Sequence, residues 1–178
     1  GQRGQSPIMK LKMRVFIPRK LAFDPKSLTR VINNSLDMAA EAIQADFGVT
    51  TQTWTQRPQF RIYRHGHDLT RLIYTENEIY SYVNDGTRPH PITAKHAARL
   101  AFFSEGFRSK TIPKAIRSRK GARANSNFVR PITVQHPGNE PRDFDKTIAD
   151  KWAKEFPVQL QRAIDAEVDS AGGDVIYL

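Results

Sequence analysis

Residues 24–48 read Asp24-Pro-Lys-Ser-Leu-Thr-Arg-Val-Ile-Asn-Asn-Ser-Leu-Asp-Met-Ala-Ala-Glu-Ala-Ile-Gln-Ala-Asp-Phe-Gly48 and predict one amphipathic helix. Asp24 can cap its first turn, and Pro25 suits the first helical position because the N–H that proline lacks has no partner there. A lone helix of this length cannot cover its apolar stripe, so it must pack on a sheet or on a neighbouring subunit. The stripe consists of Leu28, Val31, Ile32, Leu36, Ala39, Ile43 and Phe47.

The segments on either side of this helix have the patterns of strands. Residues 9–17 alternate loosely between apolar and basic side chains, as in a half-buried strand. Downstream of Gly48, β-branched and aromatic residues become frequent. The predicted strands are residues 9–17, 51–55, 60–63, 69–74, 100–103 and 128–134, with a hairpin turn at Gly66-His67-Asp68.

After Pro141 the chain returns to a helical pattern, with an apolar residue at every fourth position. Pro157 lacks the N–H of a helical hydrogen bond, so the pattern fits either a kinked helix or two shorter helices. Gly172-Gly173 ends it, and the apolar residues 175–178 fit either a strand added to a neighbour's sheet or a tail packed on its own domain. The apolar positions are Phe144, Ile148, Trp152, Phe156, Leu160, Ile164 and Val168.

Together these elements predict an α+β fold. A long N-terminal amphipathic helix packs on a small, mostly antiparallel sheet, and a kinked C-terminal helix follows. We expect a single α+β domain over residues 9–170, which includes a long basic loop at about 104–127. Residues 1–8 are expected to be a polar arm or a processed or artificial end, and residues 171–178 a C-terminal tail.

Composition excludes several classes of protein. The chain contains no cysteine, which rules out disulfides, thiolate metal sites and a cysteine nucleophile. No apolar run approaches the roughly 18 residues that cross a bilayer, and the first residues lack the apolar middle of a signal peptide. We therefore expect no membrane partner and synthesis in the cytoplasm.

The chain is strongly basic, with 28 Lys and Arg against 18 Asp and Glu. Much of the excess lies between residues 108 and 130, an interval without Asp or Glu that runs between two predicted strands. Long excursions of this kind are usually functional or disordered. Contact with DNA phosphates, contact with an acidic protein surface and a merely solvated loop all fit it. Its basic residues are Arg108, Lys110, Lys114, Arg117, Arg119, Lys120, Arg123 and Arg130.

Residues with catalytic or metal-binding chemistry do not occur in a recognisable arrangement. His65 and His67 could lie on one side of an extended segment, but a third ligand at a known spacing is missing. Glu76 and Glu78 fit a solvated turn better than a catalytic carboxylate pair. No serine has the surroundings of a nucleophile elbow. We therefore predict no enzyme, no cofactor and no metal.

Residues 80–92 are dense in conformational constraint and read Tyr80-Ser-Tyr-Val83-Asn-Asp-Gly86-Thr87-Arg88-Pro89-His90-Pro-Ile92. Gly86 predicts a turn with positive φ, which glycine adopts without steric cost. The two prolines favour an extended strut that suits a sheet edge rather than a central strand. We expect Tyr80 and Val83 to anchor the strut in the core and His90 to make a structural hydrogen bond.

A second rigid segment precedes the C-terminal helix and reads Val134-Gln-His136-Pro137-Gly138-Asn-Glu-Pro-Arg142-Asp-Phe144. Pro137-Gly138 predicts a turn, and Pro141 ends the extended run. Asp143 or Asp145 can cap the helix that follows, and Phe144 starts its buried face.

The two segments resemble, in order and with their flanking elements, the tail-completion or head–tail joining family of long-tailed bacteriophages, often labelled minor tail or minor capsid proteins. The family pattern contains a Tyr-x-x-Val-x-x-Gly-Thr-(Arg/Lys)-Pro-His-x-Ile block, a small-Lys and Leu-x-Phe stretch, and a Val-x-His-Pro-Gly-x-x-(Pro/Ala)-Arg-x-Phe block before a closing helix. Here these correspond to residues 80–92, to Lys95 with Leu100-Ala-Phe102, and to residues 134–144. The resemblance covers roughly residues 24–168. The chain departs from it at residues 48–54, where many relatives have a Pro-x-Thr-Gly-x-Leu-Arg element.

This resemblance implies a structural virion protein without catalytic residues. It would form a ring, a hexamer by analogy with the family, in the neck between the DNA-filled head and the tail tube. Its implied partners are further copies of itself and the adjacent head-completion or connector, tail-terminator and tail-tube proteins, with genomic DNA as a non-specific partner of the basic loop. The expected assembly contacts are Tyr80, Val83, Gly86, Thr87, Arg88, Pro89, His90, Ile92, His136, Pro137, Gly138 and Arg142. The alternative is a non-specific nucleic-acid-binding protein, which the net charge also favours.

Overall fold

The protein has an α+β fold, as its sequence predicts. The computed structural model describes residues 24–64, 69–103, 107–108, 111–118, 122–123 and 128–170. Its helices are α1 (Pro25–Thr51), α2 (Glu78–Asp85) and α3 (Phe144–Ser170). Its strands are β1 (Arg61–Arg64), β2 (Arg71–Tyr74), β3 (His90–Thr93), β4 (Phe102–Phe103), β5 (Phe107–Arg108), β6 (Ala122–Arg123), β7 (Phe128–Val129) and β8 (Thr133–His136).

The strands form antiparallel pairs rather than the one small sheet expected from the sequence. The pairs are β1 with β2, β3 with β8, β4 with β7, and β5 with β6. The chain forms two compact units, the first from Gly1–Asp46, Phe60–Thr75 and Asp145–Leu178 and the second from residues 47–59 and 76–144. The strand predicted at residues 9–17 lies outside the described residues, as do the first eight residues and the tail at 171–178.

In the first unit, α1 begins as the sequence predicts. The carboxylate of Asp24 accepts a hydrogen bond from the backbone N–H of Lys26 at 3.1 Å, and its carbonyl accepts one from Leu28 at 3.2 Å. The first bond satisfies a first-turn N–H that has no carbonyl partner within the helix, and the second is the first hydrogen bond of the helix itself.

Two ion pairs show that α1 and α3 run antiparallel in the first unit. Arg30 contacts Glu167 at 3.0 Å, and Lys151 contacts Asp46 at 2.7 Å. The two contacts lie sixteen residues apart on each helix, at 30 and 46 on α1 and at 151 and 167 on α3. Because a helix rises about 1.5 Å per residue, the helices stay within side-chain reach over roughly 24 Å.

The β1–β2 hairpin lies against α1. Both Arg64 and Arg71 form ion pairs with Asp37 of α1, and Arg71 also donates to the side chain of Asn33 at 2.9 Å. Since side chains alternate along a strand, the register Ile62↔Ile73 places these two isoleucines on the same, helix-facing side. The predicted hairpin is thereby confirmed, although its turn at Gly66-His67-Asp68 lies outside the described residues.

The apolar series predicted for α3 is confirmed at all seven positions, which are buried from Phe144 to Val168. The helix is continuous through Pro157, so the alternative of two shorter helices is wrong. The bend expected at that proline stays a prediction.

Two expectations about local structure are wrong. Residues 51–55 were expected to form a strand, but Thr51 ends α1 and a turn follows. The hydroxyl of Thr50 donates to the carbonyl of Phe47 at 2.6 Å, and that of Thr51 donates to Gly48 at 3.4 Å, which keeps these β-branched residues in the helix. Helix α2 has no counterpart in the prediction. Its N-cap is Asn77, whose side chain accepts from the N–H of Tyr80 at 2.9 Å.

The described residues of the predicted loop at 104–127 include paired strands. β5 pairs with β6, and Thr111 lies opposite Ser118 in an isolated bridge, so the chain folds back on itself as a two-stranded arm. The predicted strand at 128–134 is divided into β7 and β8. In the part of the chain that the structure describes, no helix is long and apolar enough to span a membrane.

Candidate assembly interface

The two constrained sequence segments meet within the second unit. Thr87 and Asn139 exchange backbone hydrogen bonds of 3.0 Å in both directions, and β3 pairs with β8 in the register His90↔His136 through Thr93↔Thr133. We call this paired structure, residues 86–93 and 133–142, the clasp. Segments whose paired residues are forty or more positions apart in sequence thus form one element.

Two glycines make this close approach possible. Gly86 has φ +76° and ψ 171°, a combination that is essentially restricted to glycine, and a Cβ atom there would lie 2.6 Å from the carbonyl oxygen of Asn139. Gly138 has φ +88°, and a Cβ atom there would overlap the carbonyl oxygen of Thr87. Each glycine therefore makes room for the backbone of the other turn. The positive φ predicted for Gly86 is confirmed.

Two histidines of the clasp bond through their rings to its own backbone. The ring of His90 bonds through Nδ1 to the carbonyl of Arg88 at 2.8 Å, which requires a proton on that nitrogen. The Nδ1 atom of His136 instead accepts from the backbone N–H of Gly138 at 3.0 Å and is therefore unprotonated. The rings lie 5.1 Å apart between centroids, tilted by 31°. The structural hydrogen bond predicted for His90 is confirmed.

Tyr80 anchors the segment that leads into the clasp, as predicted. Its ring is 5% exposed and lies 6.3 Å from Phe47, 6.4 Å from Trp54 and 5.9 Å from Phe144 between centroids. Val83 is only half-buried, and its carbonyl accepts from the N–H of Arg142 at 3.2 Å. The aromatic cluster thus holds α2 beside the start of α3.

Asn84 was not singled out in the sequence, yet it is a central residue here. It is 4% exposed, and its side-chain oxygen accepts from the N–H of Phe144 at 2.9 Å. Its carbonyl accepts from Arg142 at 3.0 Å and from Asp143 at 3.2 Å. One asparagine at the end of α2 therefore accepts hydrogen bonds from the backbone N–H groups at the start of α3. No local sequence pattern indicates this role.

The outer surface of the clasp is open to contact. All four residues of β3 are exposed, and β8 alternates between exposed and half-buried side chains. Among the predicted contact residues, Gly86, Thr87, Gly138 and Arg142 are half-buried and shape the clasp. The exposed ones are Arg88, Pro89, His90, Ile92 and Pro137.

The segment that follows β3 is hydrogen-bonded to the residues between β7 and β8. The N–H of Ala94 donates to Ile132 at 3.4 Å, and that of Leu100 donates to Pro131 at 2.8 Å. These bonds close residues 94–100 into a short loop. The guanidinium of Arg99 donates to the carbonyl of Arg130 at 3.4 Å, and a shallow depression is lined by Ala97, Ala98, Arg99 and Arg130.

Residues 111–118, at the end of the two-stranded arm, are hydrogen-bonded to the clasp. The N–H of Lys114 donates to the carbonyl of Arg142 at 2.9 Å, and Thr111 beside it is buried. Lys114 and Arg117 are exposed. For Arg108 and Arg123 the structure describes the strand pairing of the backbone. Lys110, Arg119 and Lys120 lie outside the described residues.

The charge excess of the chain resides in one segment. Residues 86–139 contain eleven Lys and Arg and a single acidic residue, Glu105, a net charge of +10. The other 124 residues contain 17 basic and 17 acidic residues and are therefore neutral. In the described part of this segment six cations are exposed, and none of them forms a salt bridge. We call these six the ribbon cations: Arg88, Lys95, Arg99, Lys114, Arg117 and Arg130.

The described residues contain no group of three His, Asp or Glu side chains placed to hold a metal ion. His65 and His67 lie outside them, so the expectation of no metal stays a prediction. Comparison of the chain with family models, with curated proteins and with solved structures gives no match.

Proposed function

We propose that this chain is a structural protein of a bacteriophage neck, which forms a ring that joins the DNA-filled head to the tail tube. The observation that carries the proposal is the clasp. The two sequence blocks that resemble the head–tail joining family are joined there by reciprocal Thr87–Asn139 hydrogen bonds and by the His90↔His136 register. The proposal includes a homo-oligomeric ring, location in the virion and no catalytic residue.

The physical properties of the clasp suit a surface for protein contacts. Its backbone is fixed by two glycines and by cross-strand hydrogen bonds, so a partner would meet a preformed surface and little ordering entropy would be lost on binding. Its outward side chains combine an arginine, a histidine and an isoleucine, which supply directional donors and apolar area. In the proposed ring, these side chains contact the neighbouring subunit or the next ring along the particle axis.

Electron microscopy of the assembled particle tests the location. We expect density for this chain at the junction of head and tail, in a ring around the channel. A phage from which the gene is deleted should produce filled heads and separate tails instead of joined particles. Density elsewhere in the particle, or joined particles without the protein, would contradict the proposal.

A matched pair of variants tests the role of the clasp. Arg88→Ala with Ile92→Asp changes two exposed clasp residues, and Arg61→Ala with Val158→Asp likewise replaces an arginine and a β-branched aliphatic residue at exposed positions of the first unit. We expect both proteins to fold and only the first to reduce the yield of joined particles, by at least tenfold. Equal yields from the two variants would remove the clasp from the assembly contacts.

The second candidate function is a free, non-specific nucleic-acid-binding protein, which the unpaired ribbon cations favour. Under this alternative the isolated monomer binds DNA tightly and with a steep salt dependence, and mature particles do not contain the chain. Quantifying the protein in purified particles therefore separates the two functions.

A further inference from the structure

We propose that the ribbon cations form a surface that binds the phosphate backbone of a nucleic acid without reading its bases, with the depression between Arg99 and Arg130 as one phosphate site. The inference goes beyond the neck role, because it assigns a ligand to specific residues, of which Arg88 alone is also an expected assembly contact. Arg99 lies outside the basic segment that the sequence indicated.

The fold places the two arginines together although thirty residues separate them. The bond from the N–H of Leu100 to Pro131 fixes the end of the 94–100 loop beside Arg130, and the Arg99 guanidinium then donates to the carbonyl of residue 130. One of its five donors is used in that bond, which leaves others for a ligand.

The lining of the depression suits a phosphate group. Ala97 and Ala98 have short side chains, so an anion can approach the backbone closely. The Arg99 guanidinium presents forked donors that match the oxygens of a phosphate, and Arg130, which also lines the depression, carries a second positive charge. The described residues of the segment 86–139 contain no carboxylate that could neutralise them. Lys95 is exposed on the same short loop and adds a further positive charge.

The distribution of the charges favours a nucleic acid over an acidic protein. Protein–protein interfaces are depleted of charged residues at their centre, whereas protein–DNA interfaces are much more positively charged. A net charge of +10 over 54 residues, together with six exposed cations that lack an ion pair, fits the second kind of surface.

The attachment of the arm favours contacts to phosphates over contacts to bases. A two-stranded ribbon can enter the major groove when it projects freely. Here the N–H of Lys114 is bonded to the carbonyl of Arg142, so the tip lies back on the clasp. A surface fixed in this way meets the outside of a duplex, where phosphate contacts position the protein without specifying a sequence.

The test uses the full chain and two mixed-sequence probes, a 20-bp duplex and a 20-nucleotide single strand, in fluorescence anisotropy titrations at several salt concentrations. We expect binding at low salt whose affinity falls as salt rises. Arg99→Gln with Arg130→Gln should weaken binding on the order of tenfold and lower the salt slope on duplex DNA by about 0.9, because the two arginines together neutralise one phosphate.

The control is Arg61→Gln with Lys154→Gln, which removes the same charge from exposed positions of the first unit. It should leave affinity and slope close to those of the unchanged protein. Arg99→Lys with Arg130→Lys keeps the charge and should restore most of the binding, which separates a charge contact from a fold defect. Melting temperatures of all variants verify folding.

Three results would overturn the inference: no binding of either probe at low salt, equal weakening in the Arg99/Arg130 variant and its control, or tighter binding of poly-glutamate than of DNA. These outcomes do not depend on where the chain lies in a particle. Failure of the phosphate surface and failure of the neck role are therefore distinguishable.

Discussion

Charged side chains form ion pairs in the first unit, whereas the exposed cations in the described part of the segment 86–139 of the second unit do not. In the first unit, Asp37 pairs with both Arg64 and Arg71, and Asp46 accepts from Lys151 at 2.7 Å and from the indole N–H of Trp152 at 2.8 Å. In the described part of the segment 86–139, six exposed cations have no ion pair. One region uses charge to hold its helices and hairpin together, and the other presents charge to its surroundings.

This difference indicates what the charge excess is for. Like charges on one surface repel each other and oppose folding, so a net +10 on a short segment does not stabilise the fold. The rest of the chain is neutral and does not compensate it. The backbone of the clasp is held by glycine geometry and hydrogen bonds that would be unchanged by neutral side chains at the surface. The excess is therefore better explained by a ligand than by stability.

The largest effect is expected where the clasp depends on glycine. Gly86→Ala combines a backbone conformation unsuited to alanine with a Cβ atom 2.6 Å from the Asn139 oxygen, and should lower the free energy of unfolding by about 4 kcal/mol. Gly48→Ala lies in α1 with no atom near the added methyl, and should raise it by about 0.5–1 kcal/mol. Urea unfolding of the two variants measures both values. If Gly86→Ala left the free energy of unfolding unchanged or raised it, as expected for Gly48→Ala, the clasp would not require glycine at position 86.

The next largest effect on the free energy of unfolding is expected in α3, whose apolar side chains are buried. Ile164→Ala removes a fully buried side chain and should cost about 3 kcal/mol. Val158→Ala, on the same helix but 50% exposed, should change stability by less than about 0.5 kcal/mol. If both substitutions cost the same, the stripe is not the packed face of the helix.

These contrasts also explain which parts of the fold the sequence could predict. Helices α1 and α3 have long periodic stripes, so their existence was predictable from local sequence. The pairing of β5 with β6 and the bond from the N–H of Phe144 to Asn84 join residues that are distant in the chain, and periodicity contains no information about such partners. Helix α2 is too short to show a period.

Composition misled the prediction at the end of α1 for a related reason. The β-branched run after Gly48 favours a strand by propensity alone. Hydroxyl bonds to the preceding helical carbonyls and burial of Thr50 and Thr51 outweigh that preference. In the candidate site, the rigid turns were predictable because proline and glycine act locally, whereas the meeting of Arg99 with Arg130 depends on how the loop 94–100 closes.

A third prediction compares two arginines that share one carboxylate. The side chain of Arg71 is 7% exposed and that of Arg64 is 63% exposed, although both pair with Asp37. Arg71→Gln should cost about 2 kcal/mol because it breaks charge-assisted bonds in a largely buried position. Arg64→Gln should cost about 0.5 kcal/mol or less, since solvent screens the exposed pair. Thermal unfolding at low and moderate salt measures both, and equal losses would mean that exposure does not set the strength of these pairs.

The smallest effect is expected for the ribbon cations themselves. Arg88→Gln with Arg117→Gln removes two unpaired, exposed charges and should leave the free energy of unfolding within about 0.5 kcal/mol of the original value. Any change should be a gain, because repulsion within the segment falls, and the gain should shrink as added salt screens that repulsion. A loss of 2 kcal/mol or more, measured by urea unfolding, would show that these cations stabilise the second unit internally. The surplus charge would then need no external ligand, and the contrast between the two regions would be one of degree.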